Sequence, residues 1–200
     1  MRKDKSKLMR NLTLSIFVAA LLSGCISNPP KETIKAGVKP AIVVTPEVRA
    51  EFDAAMVQMK AENYQKGIEM MDKVVAKSQN NPVPYINLAI AHSKLGNLKA
   101  AEDNLKLALN LEPDNPVANN EYGLLYRKTG RFSEARQLYE KLLEKYPYYP
   151  IVHKNLGILC DIYLRDYACA LREYETYSSA MPEDKTAKIW ITDVQTRAGK

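Results

Sequence analysis

The chain is 200 residues long, 46% apolar and 26% charged, the composition of an ordinary folded chain of about one domain. Its net charge of +6 hints at a polyanion partner, but five of the 29 basic side chains (Arg2, Lys3, Lys5, Lys7 and Arg10) and one of the 23 acidic ones (Asp4) fall in residues 1–24, leaving +2 on the rest. A body so close to neutrality lacks the basic stripe that neutralises phosphates, which argues against nucleic-acid binding.

Residues 1–24 have the order of an export signal: basic residues, the apolar run Leu12–Leu22, then small residues. The run is too short for a stable membrane span, which takes about 20 residues. It ends in Leu22-Ser23-Gly24-Cys25, which resembles the bacterial lipobox. That resemblance implies cleavage before Cys25 and acylation of its sulfur and amino group, with palmitate-type chains numerous enough for stable anchoring. Ile26 follows the cysteine where an aspartate would imply retention at the inner membrane, so the expected location is the periplasmic face of the outer membrane. Residues 25–46, with Pro29, Pro30, Pro40 and Pro46, read as a lipidated extended tether. Thr45-Pro46-Glu47 supplies a hydroxyl cap, a proline at the first helical position and an acid in the first turn, so folded structure is expected from 47 onward.

From there the chain repeats itself. Pro82, Pro116 and Pro150 are spaced by 34 residues, as are Gly96 and Gly130, Leu98 and Phe132, Ala101 and Ala135, and Pro113 and Pro147. Each period decodes as a helix started by Asn-Pro (Asn81, Asn115), a small residue at a helix crossing (Ala89, Gly123, Gly157), a glycine-containing turn, and a second helix. The segments Tyr85–Ala89 with Ala108–Pro113, and Tyr122–Tyr126 with Phe132–Ala135, resemble the tetratricopeptide repeat. The resemblance implies an all-α, right-handed superhelical solenoid of about four helix-turn-helix units over 47–184. The first unit is degenerate, with Tyr64, Gly67 and Met71 on repeat positions but no closing proline. In the fourth, Phe132 to Tyr167 and Ala135 to Ala170 are 35 apart, so one residue is inserted, which we place in the turn Leu164-Arg165-Asp166. Residues 185–200 read as an amphipathic capping helix that covers the last exposed groove, with Ile189, Trp190 and Val194 on its apolar side.

The resemblance also implies a concave face on the first helices that holds a partner peptide or helix. The residues recurring there are Ile86, Ile90 and Ser93, then Asn120, Leu124 and Arg127, then Lys154, Ile158 and Asp161, with Phe52, Met56 and Met59 in the first unit. A groove rich in Met, Ile and Leu suits an apolar segment; coverage of part of it by the cap or by self-association is the other outcome. Cys160 and Cys169 flank the inserted residue, and in an oxidising compartment they pair as a disulfide or stay as two buried thiols. Only two histidines occur, His92 and His153, without companions at ligand spacing, and the glycines belong to crossings and turns. No metal, cofactor, small-molecule substrate or catalytic residue is therefore expected. Tyr146, Tyr148 and Tyr149 form an aromatic cluster at an inter-repeat loop.

The expected function is a membrane-anchored periplasmic scaffold that binds envelope proteins. Asn119–Gly123 and Gly130–Phe132 resemble outer-membrane lipoproteins that help type IV pilus secretins assemble. An adaptor for peptidoglycan enzymes or for a TonB-type energy-transducing system is the alternative.

Overall fold

The computed structural model describes residues 44–199. The expected export signal, Cys25 and the expected tether up to residue 43 lie outside the described residues. Helices run over α1 Pro46–Lys60, α2 Tyr64–Lys77, α3 Pro82–Lys94, α4 Leu98–Leu111, α5 Pro116–Lys128, α6 Phe132–Lys145, α7 Pro150–Ile158, α8 Tyr167–Ala180 and α9 Thr186–Ala198. Each odd-numbered helix through α7 pairs with the even one after it, and each pair packs on the next, so the described residues form an all-α stack of four hairpins closed by α9.

Local chemistry sets the helix starts. The Thr45 hydroxyl accepts from the Val48 N–H at 3.4 Å, and the side-chain carbonyls of Asn81 and Asn115 accept from Val83 and Ala118 N–H at 3.0 and 2.9 Å. A proline follows each cap, where its missing N–H costs nothing. Within each hairpin one left-handed residue reverses the chain: Glu62 (φ 59°), Gly96 (80°), Gly130 (75°) and Arg165 (54°), always two residues before the second helix begins. Glycine takes this region freely, whereas Glu62 and Arg165 hold it against Cβ–carbonyl crowding.

The inserted residue of the fourth hairpin lies elsewhere than the sequence suggested. Leu159–Leu164 continue α7 as a π-helix, whose i→i+5 bonding absorbs one extra residue, while the turn after it keeps the same register as the others. The bond that closes each turn shows the shift. Asn63, Asn97 and Arg131 N–H reach back five residues to the carbonyls of Gln58, His92 and Tyr126, whereas Asp166 N–H reaches back six, to Cys160. A disulfide joins Cys160 in this π turn to Cys169 in α8, with Cα atoms 5.9 Å apart. The Asp166 carboxylate caps α8 by accepting from Cys169 N–H at 3.1 Å.

Hairpin cores are matched by size at one crossing. Gly123 faces the Tyr139 ring and Gly157 the Tyr174 ring, each so closely that a Cβ would come within 2.6 Å of a ring carbon. At the equivalent crossings Ala55 and Ala89 share their clusters with the slimmer Met71 and Leu105. Where the second helix carries a tyrosine, the first must give up its Cβ.

The C-terminal helix packs on the last hairpin, with Val194 in its core cluster. Ala187 and Val194 are fully buried and lie 35 residues after the equally buried Val152 and Leu159 of α7 and its π turn, so α9 takes the place of the first helix of a fifth unit. It packs on α8 and holds Arg197 Nη1 2.7 Å from Asp161 Oδ1. Ile189 remains 66% exposed beside the row begun by Phe52, Ile86, Asn120 and Lys154. The helix therefore covers the apolar end of the last hairpin through Val194 and Trp190. It also lengthens the first-helix face by one member, with Ile189 exposed on it and not on the apolar side.

Candidate protein-binding groove

The first helices stack side by side, which aligns equivalent positions into rows. Depth separates the expected groove residues into two sets. Ile86 and Met59 are buried core residues, Met59 lying against Gly67. Asn120, only 5% exposed, accepts from Asn155 Nδ2 at 2.8 Å and donates to the Glu121 carboxylate at 3.3 Å, tying α5 to α7. These three present no face to a partner, and their places in the binding set are corrected: helical period gives direction, while depth depends on which neighbours arrive.

Of the remaining residues all but Asp161 are half-buried. Phe52 and Met56 lean on the first core cluster, Ile90 on the second-hairpin cluster and Ile158 on the C-terminal one. Leu124 and Arg127 lie with Ile90 in one depression between α3 and α5, completed by Ser93, Lys94, Glu121 and Lys128. Lys154 is engaged: its ammonium sits 5.2 Å from the centroids of both Tyr177 and Trp190 and 3.8 Å from Asp184. Asp161 is buried and paired with Arg197.

Several groove features escaped the sequence reading. Val83, Val117 and Ile151 begin α3, α5 and α7 at 34-residue spacing and are each about 40% exposed, an apolar row that the spacing alone exposes once helix starts are known. Lys60, Lys94 and Lys128 end α1, α3 and α5, where cations suit the helix dipole. Lys128 donates to the Ser93 carbonyl and hydroxyl at 2.6 and 3.1 Å, bridging neighbouring repeats. Burial raises the Glu121 pKa, an effect opposed by its bond from Asn120 and by the Lys94 charge. The floor is thus apolar and the edge mainly basic.

Two other clusters are structural ties. His153 bridges the Glu173 carboxylate, 2.7 Å from Nδ1, and the Pro147 carbonyl, 3.0 Å from Nε2, which locks the loop between α6 and α7 onto α8. In that loop Tyr146 donates to the Asp114 carbonyl at 3.1 Å, while Tyr148 is 94% exposed. Asp166 brings a carboxylate within 4.8 Å of Cys160 and Cys169, whose sulfurs are committed to each other. Among the described residues no helix is long and apolar enough to cross a membrane.

Comparison with known proteins matches this geometry. Residues 86–150 fit the family profile described as tetratricopeptide repeat. The small glutamine-rich tetratricopeptide repeat-containing protein 2 of Mycosarcoma maydis is 28% identical over 147 residues, 74% of this chain and 38% of that protein. Human tetratricopeptide repeat protein 16 is 35% identical over 78 residues, 39% of this chain and 9% of its own length. The chain thus spans well under half of these relatives. Among solved structures, PilF of Pseudomonas aeruginosa superposes with a TM-score of 0.69 at 18% identity, over 76% of this chain and 68% of that one. PilW, described as a widely conserved type IV pilus biogenesis factor, gives 0.69 at 21% identity over 78% and 72%. MamA from Desulfovibrio magneticus RS-1 gives 0.66 at 15% identity over 78% and 88%. The fold is that of a tetratricopeptide-repeat solenoid.

Proposed function

We propose that this chain is a lipid-anchored scaffold at the periplasmic face of the outer membrane, which captures an apolar segment of an envelope protein along its first-helix groove. The observation that carries the reading is the half-buried apolar row Phe52, Met56, Ile90, Leu124 and Ile158, continued at its edge by the exposed Val83, Val117 and Ile151. Apolar side chains held at the surface in register, on helices fixed by their own cores, cost little ordering entropy when a partner covers them. The process we assign is assembly of a type IV pilus or its secretin. Likeness of fold to PilF and PilW supports that choice, as does the lipobox-like Leu22–Cys25.

The test has two arms. Cys25→Ala should leave the chain unlipidated and release it from the outer-membrane fraction; a variant still tightly bound there, with unchanged mass, contradicts the anchor. Leu124→Glu with Ile90→Glu should abolish co-purification of the secretin or pilus subunit from detergent-solubilised membranes while leaving the helical signal in place. Recovery of peptidoglycan enzymes or TonB-system proteins instead would favour the adaptor reading.

A further inference from the structure

We propose that Arg127 is the polar anchor of the groove and that the segment it receives is an acidic amphipathic peptide, with an internal Asp or Glu side chain docking on Arg127 between large apolar neighbours. This deepens the scaffold reading and rests on it.

Three observations point there. Arg127 lines the depression beside Leu124 and Ile90, yet its Nη1 is buried with no hydrogen-bond acceptor among the described residues. A guanidinium nitrogen that is buried without an acceptor stands ready to gain from an incoming carboxylate, since charge-assisted bonds are the strong ones. Secondly, the side chain is positioned. The π turn carries Tyr163, whose ring lies 5.9 Å from the guanidinium carbon of Arg127 and packs on Phe132 with centroids 4.8 Å apart. Tyr139 and Tyr174 feel the same positive charge from the core side. Two residues before the left-handed turn residue the first three hairpins carry Lys60, Lys94 and Lys128, where the fourth carries Tyr163. The π turn thus carries an aromatic support at the groove, in line with the tendency of π turns to lie at functional sites. Thirdly, the other charges lining the depression are Lys94 on α3 and Glu121 and Lys128 on the same helix as Arg127, a balance that favours an acidic partner.

An internal carboxylate is preferred over a chain terminus because the groove runs on in both directions, past Met56 on α1 and past Ile158 and Ile189 toward α9. A bound segment would pass through this point rather than end at it.

The experiment selects peptides from a random 16-residue library, displayed with both ends closed, on the full-length chain in detergent micelles. Peptides carrying Asp or Glu between Leu, Ile or Phe residues should be enriched. A synthetic peptide of that sequence should lose roughly tenfold or more in affinity on changing its acid to the amide, and its binding should weaken with salt. Arg127→Gln should weaken the acidic peptide by a similar factor and leave the amide peptide unchanged, Arg127→Lys should keep part of the preference, and Tyr163→Leu should weaken the acidic peptide alone. Equal binding of the two peptides to the parent chain would overturn the anchor, and needs no variant to fold. Selection of free C-terminal carboxylates would overturn the internal mode. If the selected peptides ignore Leu124→Glu with Ile90→Glu, the groove reading itself fails; if those changes abolish binding while the acid is immaterial, only the anchor fails.

Discussion

Adding one methyl group at Gly123 tests the repeat architecture at its tightest crossing. A Cβ there would lie 2.6 Å from Cζ of Tyr139, inside the distance real side chains adopt, and the ring is fully buried and cannot swing away. Overpacking such a site costs about 3 kcal/mol. Alanine returns about 1 kcal/mol of helix propensity, so Gly123→Ala should lose about 2 kcal/mol, or roughly 4–8 °C in Tm for a chain of this size. Tyr139→Leu alone empties part of the same crossing and should lose about 2 kcal/mol. Together the two recreate the Ala89/Leu105 pairing found one repeat earlier. The double variant should therefore sit about 1–2 kcal/mol below the parent, where independent losses would give about 4. Urea unfolding followed by circular dichroism at 222 nm measures all four proteins. Strict additivity would refute the size-matching argument, and a Gly123→Ala protein as stable as the parent would mean the helices do not cross here.

Other perturbations probe separate features. The Tyr139 hydroxyl is buried without a partner among the described residues, whereas the Tyr174 hydroxyl lies 3.3 Å from Asp161 Oδ2; Tyr139→Phe should be neutral or stabilising, and Tyr174→Phe should cost about 1 kcal/mol, as read by urea midpoints. The Cys169 N–H, and then Arg136, hold the Asp166 pKa below its ordinary value. Its stabilisation is therefore complete above the unfolded carboxylate range and lost as pH falls through the lowered folded value. Asp166→Ala should cost about 1 kcal/mol at neutral pH, and the gap from the parent should narrow in acid; a gap that widens below about pH 4 would contradict the sign. In the Cys25→Ala chain purified without reductant, thiol titration after denaturation should find no free cysteine, and reduction should cost about 2–3 kcal/mol for so short a loop. Two free thiols would end the Cys160–Cys169 pairing.

The 34-residue spacing made the hairpins, their caps and the glycine turns legible, because each depends on a residue type with a specific backbone role. The inserted residue was legible only as a count. Gly157 to Tyr167 contains one residue too many, but an arginine in the left-handed position hid the unchanged turn register, and the extra residue went into a π turn instead. For the groove, period separated the first-helix face from the hairpin core without giving depth. Ile86 and Ile90 sit one turn apart on the same face, yet one is buried and the other half-exposed. Lys94, Glu121 and Tyr163 became groove residues only once neighbouring helices and the π turn were in place. The apolar positions of α9 continued the period at 35 residues, a signal present in the sequence.

Photocrosslinking in living cells tests the central claim most directly. A photoreactive phenylalanine analogue at Leu124, in the groove, is compared with one at Leu107, which is exposed on the second helix α4. The account predicts a discrete protein adduct from position 124 that disappears when Ile90→Glu is added, and none from position 107. An adduct from position 107 with none from 124, or one at 124 indifferent to Ile90→Glu, would contradict it.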